Sequence, residues 1–178
     1  LVQDSVYDEF AKKFAEAVAD LKVGPGIDES SEIGPLVNEA AIEKVEELVQ
    51  GALAEGAGVL TGGRRHALGR TYYEVTVLTD VTPDMTIHGE EIFGPVLTVY
   101  LYEDAEFEAT LELCDTSSPY ALTGSIFATH ESDIQTAFDA LRFTAGNFYI
   151  NDKTTGAAVA QQPSGCARAS GNNAKAGR

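Results

Sequence analysis

An α/β fold is predicted for this chain by three observations. Apolar stripes of helical period alternate with short β-branched and aromatic runs, Gly-Gly and Gly-Pro steps punctuate the joins, and no repeat, low-complexity run or interior linker interrupts the order. Alternating strands and helices favour an open twisted sheet, largely parallel and flanked by helices. At 178 residues and 44% hydrophobic content, the chain is expected to form one domain around a single core, burying about two-thirds of its unfolded surface.

The elements follow in order. Val6, Phe10, Phe14, Val18 and Leu21 recur at three- and four-residue steps, which predicts an amphipathic helix over 6–21 that ends before Gly24-Pro25-Gly26. A second helix over 39–55 carries Ile42, Val45, Leu48, Val49 and Leu53 on one stripe, with Asn38 as its N-cap and Gly56 as its stop. Residues 58–61 and 72–78 read as strands, separated by Gly62-Gly63 and Gly69. The run 97–102 reads as a buried strand, 105–114 as a helix returning across the sheet, 125–128 as a strand, 134–143 as a helix and 147–150 as a strand. Residues 157–178 read as loop.

Lys plus Arg total 12 against 28 Asp plus Glu, a formal charge of -16 that repels nucleic-acid phosphate and anionic lipid alike. Neither is an expected partner. The two cysteines, Cys114 and Cys166, have neither disulfide-framework nor metal spacing, and His66, His88 and His130 are scattered, so no metal site is expected. A reducing compartment fits: the cytoplasm, or the mitochondrial matrix in a eukaryote. No apolar run is long enough to span a bilayer. The chain opens on Leu1 with residues that look mid-domain, so a leader could have been lost with an upstream segment.

Two strings carry site-like chemistry. In Glu90-Glu91-Ile92-Phe93-Gly94-Pro95-Val96, a carboxylate can accept two hydrogen bonds from a vicinal diol and a phenyl face can pack on a heteroaromatic ring, which would suit a ribose and its base. Solvated acids beside a core phenyl are the plainer reading of the same string. In Thr154-Thr155-Gly156-Ala157-Ala158, small residues would let consecutive amides approach a carboxylate, although the composition also suits a surface loop.

The first string resembles the signature of NAD(P)-dependent aldehyde dehydrogenases. Leu1-Val2-Gln3, Tyr7-Asp8-Glu9-Phe10, Gly34-Pro35-Leu36 and Gly62-Gly63 extend the resemblance over nearly the whole chain. It implies that Glu91 holds the nicotinamide ribose and that Phe93 contacts the nicotinamide, together on an exposed rim at the carboxyl edge of the sheet. The tail, Gly146-Asn147-Phe148-Tyr149-Ile150-Asn151-Asp152-Lys153 with Thr155-Gly156, Gln161-Gln162-Pro163 and Ala167-Arg168-Ala169-Ser170-Gly171, resembles the subfamily that oxidises glutamate semialdehyde, the open form of 1-pyrroline-5-carboxylate. By that likeness the amides of Gly156 and Ala157 anchor the substrate's α-carboxylate, within a substrate-anchor loop and tail over 155–178.

The family needs an attacking thiolate, oxyanion donors, a hydride acceptor and a base. The resemblance puts its nucleophilic cysteine just upstream of the position matching Leu1, and the base and dinucleotide-binding domain further upstream. No catalytic residue is therefore assigned here, and Cys114 and Cys166 read as incidental thiols. The chain is expected to be part of an NAD-dependent enzyme of proline catabolism, 1–178 being a partial catalytic domain without the dinucleotide-binding domain, inactive alone, and self-associating or pairing with its upstream half. The family's Pro-Phe-Gly-Gly is replaced by Pro163-Ser164-Gly165-Cys166, which removes an aromatic wall over the substrate at Ser164. Val75 and Ala121 replace a proline and a glycine as packing changes. A truncated, non-catalytic association module and an aldehyde dehydrogenase of other specificity are the rival readings.

Overall fold

A computed structural model describes residues 1–158, 161–172 and 174; the remainder of the loop expected over 157–178 lies outside the described residues. The chain is α/β and divides into two compact units, Leu1–Glu106 and Phe107–Arg178. The expected single core is thereby corrected. Residues 103–106 are all exposed and bury no apolar surface, so the cores form on either side of them.

In the first unit, β1 (Val2–Gln3) leads into α1 (Asp4–Ala19), then α2 (Glu39–Glu55), β2 (Gly58–Thr61), β3 (Thr76–Thr79), α3 (Thr86–Gly89), β4 (Val96–Thr98) and β5 (Leu101–Tyr102). The Asn38 side chain accepts the Ala41 N–H at 2.9 Å, capping α2, and Gly56 closes it in the left-handed conformation at φ 111. β3 is antiparallel to β2 and parallel to β4, while β1 runs parallel to β5. The Val99 N–H donates to Leu78 and the Tyr100 carbonyl accepts from Val2. Neighbouring residues of an extended chain point their polar groups to opposite sides, so β3 and β1 flank the 96–102 path on opposite sides.

β3 is buried at all four positions because helices cover both its faces. Leu78 packs among Ile42, Val45 and Val49 of α2 with Tyr73 and Ile87, whereas Val77 packs with Val18 of α1 and Val99. The stripe on α1 is buried only in its carboxyl half, since Val6 and Phe10 stay 54% and 37% exposed. Two expected strands are corrected. Residues 72–74 pair back on 64–66 around the Gly69 turn, leaving β3 to begin at Thr76. The expected buried strand over 97–102 is interrupted between β4 and β5, with Leu97 46% exposed.

In the second unit, α4 (Phe107–Thr116) follows a 3-10 turn, and then come β6 (Tyr120–Ala121), β7 (Thr123–Ile126), α5 (Glu131–Leu141), β8 (Asn147–Ile150) and β9 (Ala167–Arg168). α5 is the crossover that lets β7 and β8 run parallel, while β6 and β9 pair antiparallel. Leu111 of α4 and Ala137 and Leu141 of α5 form its core with Phe107, Cys114, Ile126 and Phe148. A Cβ at Gly146 would overlap the Gly165 carbonyl, so the tail crosses β8 where only glycine fits. Among the described residues, three of the five strand pairings are parallel, and no helix is long and apolar enough to cross a membrane.

Candidate functional site

The loop between α3 and β4 is fixed at three points, two of them on α2. Ile92 packs against the first core, Gly94 lies against Val45, and Lys44 Nζ donates to the Glu91 carbonyl at 2.6 Å. The Pro95 carbonyl accepts the Thr76 N–H at 2.8 Å, tying the loop to the start of β3. Glu91 and Phe93 therefore sit at the amino ends of β3 and β4, which corrects the carboxyl edge expected for them. The reason is chain direction: the loop enters β4 rather than leaving it.

Phe93 has φ 56 and is 79% exposed. A non-glycine residue there carries strain of order 1–3 kcal/mol and holds the conformation only where its surroundings over-determine it. The anchored residues on either side do so here, and the phenyl ring is turned outward. Glu90 and Glu91 are exposed, and among the described residues no cation pairs with the Glu91 carboxylate. The loop thus presents a free carboxylate, which can accept hydrogen bonds from a vicinal diol, and an open aromatic face on which a flat ring can pack. An open groove of about 310 Å³ beside it is lined by Lys44, Glu47, Leu48, Gly51, Thr86 and Glu90.

A separate loop belongs to the second unit and holds Gly156, Ala157 and Ser164. Asn151, at φ 50, ends β8 and exchanges two side-chain hydrogen bonds with the backbone of Ala128, both at 2.9 Å. Gly156 has φ 76 with open space where a Cβ would stand, while Ala157 is half-buried. Among the described residues, none accepts a hydrogen bond from either amide. The Asn147 side chain donates to the Pro163 carbonyl and accepts from the Gly165 N–H, bracketing the exposed Ser164.

Neither cysteine gains activating surroundings. Cys114 is half-buried on α4 and burial pushes its thiol pKa up, favouring the unreactive form. Cys166 is half-buried in the tail. Among the described residues, no group of three His, Cys, Asp or Glu side chains could hold a metal ion. Lys44 and Asn147 escaped sequence reasoning as supports. Lys44 looks like any other helix-surface lysine, whereas Asn151 directly after a β run carried a readable turn signal.

The family model described as "Aldehyde dehydrogenase family" matches residues 1–178. A mitochondrial delta-1-pyrroline-5-carboxylate dehydrogenase of Dictyostelium discoideum is 42% identical over 177 residues, 99% of this chain and 32% of its own length. A mitochondrial succinate-semialdehyde dehydrogenase of Arabidopsis thaliana is 49% identical over 106 residues, 60% of this chain and 20% of its own. A betaine aldehyde dehydrogenase of Staphylococcus aureus solved with NAD+ superimposes with a TM-score of 0.81 at 32% identity, over 94% of this chain and 33% of that one. The chain spans about a third of the length of the Dictyostelium relative.

Proposed function

The chain belongs to the aldehyde dehydrogenase family, and from that premise we propose that it is the carboxyl-terminal part of an NAD-dependent 1-pyrroline-5-carboxylate dehydrogenase of proline catabolism. In this reading the complete enzyme oxidises glutamate semialdehyde to glutamate. The observation that carries it is sequence likeness: the Dictyostelium enzyme is 42% identical over 99% of the chain, a match that takes in the substrate loop and the tail strings.

Glu91 would accept hydrogen bonds from the nicotinamide ribose, and Phe93 would offer its ring to the nicotinamide. Their exposure and the outward turn of Phe93 support that fit. NAD, when bound, supplies the hydride acceptor. The amides of Gly156 and Ala157 would receive the α-carboxylate and Ser164 would border the aliphatic segment. The attacking thiolate and the base that activates water would come from polypeptide beyond these 178 residues. The compartment would be reducing, the cytoplasm or the mitochondrial matrix.

A second reading, oxidation of succinate semialdehyde, draws support from the 49% identity to the Arabidopsis enzyme. Both substrates carry a carboxylate distal to the aldehyde, so the same loop would serve either. NADH production by the enzyme translated from the complete open reading frame separates them. The first reading expects kcat/KM for glutamate semialdehyde about tenfold or more above that for succinate semialdehyde, and the reverse ratio would select the second. The 178-residue chain alone should produce no NADH. Activity that disappears on Cys114→Ala or Cys166→Ala would overturn the placement of the nucleophile elsewhere.

A further inference from the structure

The side chain of Gln162 makes two hydrogen bonds through one oxygen. Its Oε1 accepts from Lys153 Nζ at 2.7 Å and from the Ala158 N–H at 3.0 Å. The Ala158 carbonyl in turn accepts the N–H groups of Gln161 and Gln162, at 3.0 and 2.8 Å. Both polar groups of Ala158 are therefore held by the Gln161-Gln162 segment. At the other end of the loop, the Lys153 ammonium lies over the Tyr149 ring, 5.2 Å from its centroid, and Tyr149 is a buried residue of β8. Gly156 has no such support, being exposed, at positive φ and with no atom within 4 Å of a built Cβ. The direction of the Gly156 and Ala157 amides is thus set by the ends of the loop, Lys153 and Ala158, and both ends meet at Gln162.

Resting on the carboxylate reading above, we propose that Lys153 and Gln162 form a latch that positions these two amides and makes the loop selective for aldehydes bearing a carboxylate. Charge supports the same assignment. Lys153 is the sole Lys or Arg between Arg142 and Arg168 in a chain of net charge -16, so a carboxylate approaching a repulsive surface meets a cation at this loop. A lysine held by an amide oxygen and an aromatic face keeps its ammonium fixed rather than trailing in solvent. Lys153 and Gln162 are positioning residues, acting through the amides.

The test uses the enzyme translated from the complete frame, with glutamate semialdehyde and propanal compared as substrates. Lys153→Met should raise KM for the semialdehyde about tenfold while leaving KM and kcat for propanal within about twofold. Lys153→Arg, which can still donate to Gln162 Oε1, should recover part of the loss. Gln162→Met removes the acceptor from the other side and should reproduce the selective effect, so the proposal remains testable if Lys153→Met does not fold. Equal losses on both aldehydes, or no loss on either, would overturn the latch. An unmodified enzyme that does not prefer the semialdehyde over propanal would instead remove the carboxylate reading itself, and the latch with it.

Discussion

Gly94 lies so close to Val45 that a Cβ built on it would stand 2.5 Å from Val45 Cγ2. Val45 is fully buried on α2 and has no room to retreat. Gly94→Ala should therefore destabilise the chain by about 1–3 kcal/mol through overpacking. Gly51, on the same helix, has nothing within 4 Å of a built Cβ, and Gly51→Ala should stabilise by about 0.5–1 kcal/mol through helix propensity. Urea unfolding midpoints should move in opposite directions for the two variants. A shared direction would show that the loop does not rest on α2 as described.

Asn38 caps α2 through the Ala41 N–H. Asn38→Ala should cost about 1 kcal/mol and Asn38→Gly only a few tenths, because glycine also tolerates the cap conformation. Chemical denaturation of the two variants side by side checks the ordering.

Tyr73 is 1% exposed, and its hydroxyl has no hydrogen-bond partner among the described residues. Burial first, then the charges of Glu46 and Glu74, push its pKa from the ordinary 10.0 up to about 12. The folded state thus holds this proton more tightly than the unfolded state. Its contribution is complete below about pH 10 and is lost as pH rises toward 12. Tyr73→Phe should match or exceed the parent in stability at neutral pH and lose less between pH 10 and 12. Parallel alkaline slopes in urea midpoints measured across that window would refute the assignment.

The first unit leaves Val6, Phe10, Val59, Leu60, Leu97 and Leu101 at least 36% exposed. Uncovered apolar surface of this kind tends to find a partner, so the isolated chain should self-associate in a concentration-dependent way. Light scattering that returns one chain mass across a dilution series would count against it.

In the complete enzyme, Gly156→Val should raise KM for the semialdehyde far more than for a simple aldehyde. A branched residue is strained at φ 76, and its Cβ would fill the open space before the amides. Ser164→Phe should improve use of the semialdehyde by about 0.8 kcal/mol for each methylene it buries. Steady-state kinetics with both aldehydes measures each effect, and no gain from Ser164→Phe would mean that position is shaped for another substrate.

Local signals determined much of this protein. The apolar stripe, Asn38 and Gly56 placed α2 at Glu39–Glu55, and β2 and β8 also fell on their expected residues, because periods and caps act over a few residues. Family likeness was legible in the Glu90–Val96 string and the tail for the same reason. What tertiary structure alone decided was what covers what. The stripe of α1 predicts burial, but sequence cannot say that Val6 stays 54% exposed and that Phe10, stacked on Phe14, stays 37% exposed. Nor could it place the Glu91 loop beside the amino end of β3, since the parallel pairing of β3 with β4 emerges only when distant segments meet. The division after Glu106 and the meeting of Lys153 with Gln162 across nine positions likewise depend on packing and hydrogen bonds between residues that the chain itself keeps apart.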